Sequence, residues 1–69
     1  MEVEYLRTLR ELRDRGSVTA VARARSLSPS AVSQQLASLQ RTVNIPLTQQ
    51  SGRRLVLTAA GERLADASE

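Results

Sequence analysis

A mainly helical domain carrying one small β-hairpin is predicted by three observations on this 69-residue chain. Aliphatic residues recur at three- and four-residue spacing until about residue 43, the period of helices with one buried face. Serines suited to starting helices stand just ahead of two of those stretches, at Ser17 and Ser28. After Ile45-Pro46 the pattern gives way to two short β-prone runs, "LTQQ" and "RLVLT", set around a glycine.

The first helix is expected over roughly 2–15, where Val3, Leu6, Leu9 and Leu12 fall three apart among charged residues and Gly16 supplies a stop. Ser17 then caps a short second helix of about eight residues, with Val18, Val21 and Ala22 at helical intervals. Ser26, Leu27 and Ser28 interrupt it. Ser28 as cap and Pro29 at the first helical position open a third helix running to about Thr42, with Asn44 as a left-handed stop. The two β-prone runs, separated by Ser51-Gly52-Arg53, form a hairpin with glycine in its turn. Thr58 caps a fourth helix in "AAGERLADASE", which Gly61 weakens and in which Leu64 is the only large apolar residue. So little apolar area leads us to expect a fragment cut inside or just after that helix. A short capped helix, a tight turn, a longer helix and a hairpin follow in the order of a winged helix-turn-helix.

Composition narrows the functions open to such a domain. Apolar residues make up 41% of the chain and are mostly Leu, Val and Ala, which suits a folded helical protein. Tyr5 is the only aromatic residue, so binding of single strands by stacking bases on exposed rings is poorly supported. With neither Cys nor His, a disulfide framework is excluded and carboxylates are left as the only strong metal ligands, a poor set for a zinc site, and no cofactor is expected in this domain. No apolar run approaches a membrane span and no signal-peptide core is present, which makes a cytoplasmic protein the default. The acids gather at the ends, at Glu2, Glu4, Glu11 and Asp14 and again at Glu62, Asp66 and Glu69. Between them lie Arg15, Arg23, Arg25, Arg41, Arg53 and Arg54 with no acid at all, the arrangement of a polyanion binder with a net charge of only +3.

The third helix explains where the polyanion meets the protein. At about 100° per residue from Ser30, the aliphatics Val32, Leu36, Leu39 and Val43 fall near 180–240°. Ser30, Ser33, Gln34, Ala37 and Arg41 fall on the other side, within about 60° of zero. That side is small, neutral and able to hydrogen-bond, which suits close entry into the major groove of duplex DNA. The candidate base contacts are Ser30, Ser33, Gln34, Gln35 and Ala37, on a recognition helix of about 28–42. Candidate phosphate or minor-groove contacts are Ser17, Thr19, Ser28 and Pro29 at two helix starts, Arg41, and Arg53 and Arg54 on a wing of about 47–57.

"GSVTAVARARSLSPSAVSQQLASLQ" followed by "IPLTQQSGRRLVLTAAGERL" resembles the N-terminal DNA-binding domain of the LysR-type transcriptional regulators, most specifically in "SPSAVSQQL" and "GRRLVLTAAGE". The resemblance covers nearly the whole chain. It implies a winged helix-turn-helix over 1–57 and, over 58–69, the start of a linker helix that pairs subunits. It also implies a bacterial regulator several times this length, located at the nucleoid and bound as a homodimer or tetramer to pseudo-palindromic duplex operators. A small-molecule effector would bind only through a C-terminal domain absent here. By the same resemblance Ser33 and Gln34 match base-touching positions and Arg53 matches a basic wing position. The chain departs from the pattern with Pro29-Ser30 for Gln-Pro, which shifts specificity onto Gln34 and Gln35, and with Gln34 for a frequent Arg, which favours adenine over guanine. Thr48 replaces a usual Phe, and Arg25 fills a usually apolar position, its stem expected to pack and its head to reach solvent or DNA.

A winged helix can also present this surface to another protein, so a protein-interaction module is the alternative function. An enzyme is not supported, since there is no His or Cys and no carboxylate pair near an expected cleft. Neutralised phosphates release counterions, so a steep fall of duplex affinity with salt separates DNA binding from the alternative.

Overall fold

The computed structural model describes residues 3–69. Four helices and a hairpin follow one another: α1 (Val3–Arg15), α2 (Val18–Arg25), α3 (Pro29–Val43), β1 (Thr48–Ser51), β2 (Arg54–Leu57) and α4 (Ala59–Ala67). Glu2, where the first helix was expected to begin, lies outside the described residues. None of the described helices is long and apolar enough to cross a membrane.

Local chemistry sets the boundaries. Gly16, at φ +79°, ends α1 and donates its N–H to the Leu12 carbonyl at 2.9 Å. Ser17 Oγ accepts from Ala20 N, and Ser28 Oγ accepts from Ala31 N, each satisfying an N–H that its helix leaves unpaired. α2 stops with Ser26 in the left-handed region, while Leu27 N–H reaches back to the Ala22 carbonyl at 2.8 Å and its side chain packs on the core. This is the Schellman arrangement, here built on serine where glycine is usual. Asn44, also left-handed, closes α3 onto the Gln40 carbonyl as expected. In the wing, Ser51 pairs with Arg54, so the connection is the two residues Gly52 and Arg53 rather than three. With positive φ at Gly52 alone, the loop follows the type II′ pattern, whose twist matches that of the strands.

Helices α1, α2 and α3 enclose a core of Leu9, Leu12, Val21, Val32, Leu36 and Leu39, each at most 2% exposed. Leu47 and Leu57 close it from the wing and Ala65 from α4. The fourth helix is therefore more firmly seated than its composition suggests. It docks through small residues: Ala65 is wholly buried, Gly61 is buried against the Leu47 backbone, and Leu64 packs on the core. Arg13 on α1 ties that helix to the end of α4 from outside, pairing with Asp66 at 2.7 Å and with Glu69, and with its neighbour Asp14. The Arg13 hydrogen bond holds the Asp14 carboxyl below its usual range.

Gln40, unremarked in the sequence, fixes the wing to α3. Its Oε1 accepts from Leu47 N at 2.8 Å, Thr48 N at 2.9 Å and Thr48 Oγ1 at 3.0 Å. Thr48, at the position where the resemblance leads to Phe, thus contributes a hydroxyl to this junction instead of a ring to the core. Gln40→Leu strands two backbone donors, which should cost about 1–2 kcal/mol by urea denaturation. An unchanged midpoint would mean that water satisfies those groups equally well.

Candidate nucleic-acid interface

The outer face of α3 is open along its length. Ser30, Ser33, Gln34 and Arg41 are exposed, and Ala37 and Ser38 are half-buried between them. The capping hydroxyls of Ser17 and Ser28 use one lone pair on the helix N–H and keep their proton, so each remains able to donate to a phosphate. Pro29 occupies the first position of α3 and is exposed beside them.

One concavity of about 280 Å³ gathers much of the expected site from four places in the chain. Ser17 and Thr19 come from the start of α2, Ser33 from α3, and Arg53 and Arg54 from the wing, joined by Gln50 of β1. Gln50 was missed by sequence reasoning. The strand register that sets it opposite Leu55, close to the turn, is the signal that would have placed it there. Arg53 is exposed at the hairpin tip and has no hydrogen-bond or ion-pair partner among the described residues.

Three expected contacts are placed differently. Arg54 is not a free wing cation: its Nε and Nη2 donate to the Gly16 carbonyl at 3.2 and 2.6 Å, strapping the hairpin to the turn before α2. Gln35 is half-buried rather than outward, and its side-chain amide lies 2.5 Å from Thr8 Oγ1 on α1. The Thr8 hydroxyl also lies 3.1 Å from the Glu4 carbonyl. With one proton to give, the hydroxyl donates to Gln35 Oε1, the shorter contact, and the Glu4 carbonyl is the longer alternative acceptor for the same proton. Of the candidate base contacts, Ser30, Ser33 and Gln34 are exposed on the open α3 face and Ala37 is half-buried there, whereas Gln35 turns toward α1. The Arg25 head reaches neither open solvent nor the α3 face: the side chain is 17% exposed and pairs with Glu4 on α1.

The folded charge distribution sharpens the sequence pattern. Glu4 is held by Arg25 and Arg7, Glu11 by Arg15, and Asp14, Asp66 and Glu69 by Arg13. These acids are engaged on α1 and at the end of α4, and Arg41 and Arg53, flanking the α3 face, have no acidic partner among the described residues. No group of described acids is arranged to hold a metal ion.

An α3 open to solvent, braced by α2 and flanked by a basic hairpin, defines a winged helix-turn-helix domain. The chain belongs to the lysR family of bacterial regulatory helix-turn-helix proteins, whose family model matches residues 3–62. It is 41% identical over 54 residues to the HTH-type transcriptional activator CmpR of Synechocystis, covering 78% of this chain and 18% of that protein. It is similar to full-length LysG from Corynebacterium glutamicum with bound effector Arg (36% identity, TM-score 0.87, 99% of this chain and 23% of that one). The CbnR DBD–DNA complex superposes with a TM-score of 0.91 at 25% identity, over 99% of this chain and 78% of that one.

Proposed function

We propose that this chain is the sequence-specific duplex-DNA-binding domain of a LysR-type transcriptional regulator. Helix α3 lies in the major groove, Ser30, Ser33 and Gln34 face base edges, and the wing lies along the backbone or minor groove. One observation carries this: the neutral, hydrogen-bonding face of α3 is exposed beside a concavity that joins the start of α2 to Arg53. A base edge is read by such groups only where the helix approaches closely, and acids would repel the flanking phosphates. The likeness to the CbnR DBD–DNA complex supports the same placement. No catalysis and no cofactor is assigned to this chain.

For the intact regulator we infer a homodimer or tetramer on a pseudo-palindromic operator, paired through a helix that α4 begins. A small-molecule effector acts through the remainder of the protein, which is cytoplasmic and associated with the nucleoid. These inferences rest on the family, since the chain spans about a fifth of the length of CmpR and LysG.

Titrating duplex DNA at several salt concentrations tests the reading. Binding should weaken with salt at a slope of about −0.9 per neutralised phosphate. Arg53→Ala should weaken all sequences alike and lower that slope by about one. A flat salt response of the unmodified chain points instead to a protein-interaction module.

A further inference from the structure

The wing and α2 account for one border of the α3 face, whereas a helix seated in a major groove has a phosphate backbone along each side. About the α3 axis, Ser33 lies near −60° from Ser30, on the side of the wing concavity. Gln34, Ser38 and Ala31 lie near +40°, +80° and +100°, on the other side. There a second concavity of about 500 Å³ runs between α3 and the first turns of α1, lined by Tyr5, Gln34, Gln35, Ser38 and Arg41 among others. We propose that this groove holds a backbone phosphate of the second DNA strand, with the Tyr5 hydroxyl and the Arg41 guanidinium as its donors.

Three features fit a phosphodiester. The lining is mostly polar and includes a cation, Arg41, whose one hydrogen bond among the described residues is a long 3.3 Å contact to Ser38 Oγ. Tyr5 is half-buried with its ring packed on the core, and its hydroxyl has no hydrogen-bond partner among the described residues. A ring so fixed presents its hydroxyl at little entropic cost. Glu4, the neighbouring acid, is drawn off by Arg25 and Arg7, so it does not oppose a phosphate there. The chain's only aromatic residue thereby acts through its hydroxyl, with no base stacked on its ring.

This inference rests on the duplex-binding reading, and the experiment separates the two. The 69-residue chain, Tyr5→Phe and Arg41→Gln are titrated with a mixed-sequence duplex at several salt concentrations. They are then titrated with a duplex selected from a randomised pool and carrying single neutral methylphosphonates along each strand. Tyr5→Phe, which keeps the ring, should lose about 3- to 10-fold in affinity on both duplexes with the salt slope unchanged. Arg41→Gln should lose affinity and lower the slope by about one. In both variants the penalty for one methylphosphonate should disappear, while the penalty at the phosphate facing Arg53 persists. Wild-type affinity and an unchanged penalty pattern in both variants overturn the second clamp and leave duplex binding intact. If the unmodified chain shows no salt-dependent duplex binding, both readings fall.

Discussion

Gly61→Ala is expected to lower stability by about 1–3 kcal/mol, against the ordinary preference of a helix for alanine. In an open helix interior the substitution stabilises by about 1 kcal/mol, because alanine loses less backbone freedom on folding. At position 61 the added methyl meets the Leu47 carbonyl oxygen, and the next nearest atoms also belong to the Leu47 backbone. A flexible side chain could turn aside, but this carbonyl already accepts from Thr58 N at 3.0 Å. Thr58 in turn donates its hydroxyl to the Pro46 carbonyl at 2.7 Å and accepts from Gly61 N at 3.1 Å. Relieving the overlap therefore means lifting α4 from the wing junction or breaking the closure of the hairpin. A domain this small holds only about 3–5 kcal/mol in reserve, and each kcal/mol moves the midpoint by about 4–8 °C. Thermal denaturation followed by far-ultraviolet circular dichroism should show the drop. A raised midpoint would mean that α4 does not rest on Leu47.

The same junction explains what sequence reading reaches in this protein. Ser17, Ser28, Asn44 and Thr58 were legible because capping is decided within a few residues, by side chains whose partners are fixed by helix geometry. The buried stripe of α3 was legible for the same reason, since periodicity alone separates Val32, Leu36 and Leu39 from Ser30 and Gln34. Gln35 lies near 140° on the same wheel, between the two faces, and only the approach of α1 carrying Thr8 decides its side. Arg54 looked like one of two equivalent wing cations. Its carbonyl partner at Gly16 stands 38 residues earlier, and no local pattern couples the two. The seating of α4 was hidden for another reason. Counting large apolar residues undervalues a helix whose Gly61 and Ala65 let its backbone approach the core closely.

Gln34→Ala is expected to cost about 1–3 kcal/mol on the selected operator, or about 5- to 150-fold in affinity, and almost nothing on mixed-sequence DNA. Gln34 is exposed on the second turn of α3 and has no hydrogen-bond partner among the described residues, so the substitution removes no hydrogen bond among them. It carries no charge, and the salt slope should therefore stay where it is. Discrimination should relax at one or two base pairs, where a glutamine amide bonds adenine through both its oxygen and its nitrogen. Gln34→Arg should move the preference at those positions toward guanine, whose two acceptors match a guanidinium fork. Competition titrations with single base-pair variants of the selected duplex measure both effects. An equal loss on selected and mixed-sequence DNA would assign Gln34 to the backbone and leave Ser30 and Ser33, whose hydroxyls match several bases, as the readers on this face. Specificity would then have to arise from the shape and bending of the operator, and it should follow base pairs that no side chain of α3 touches.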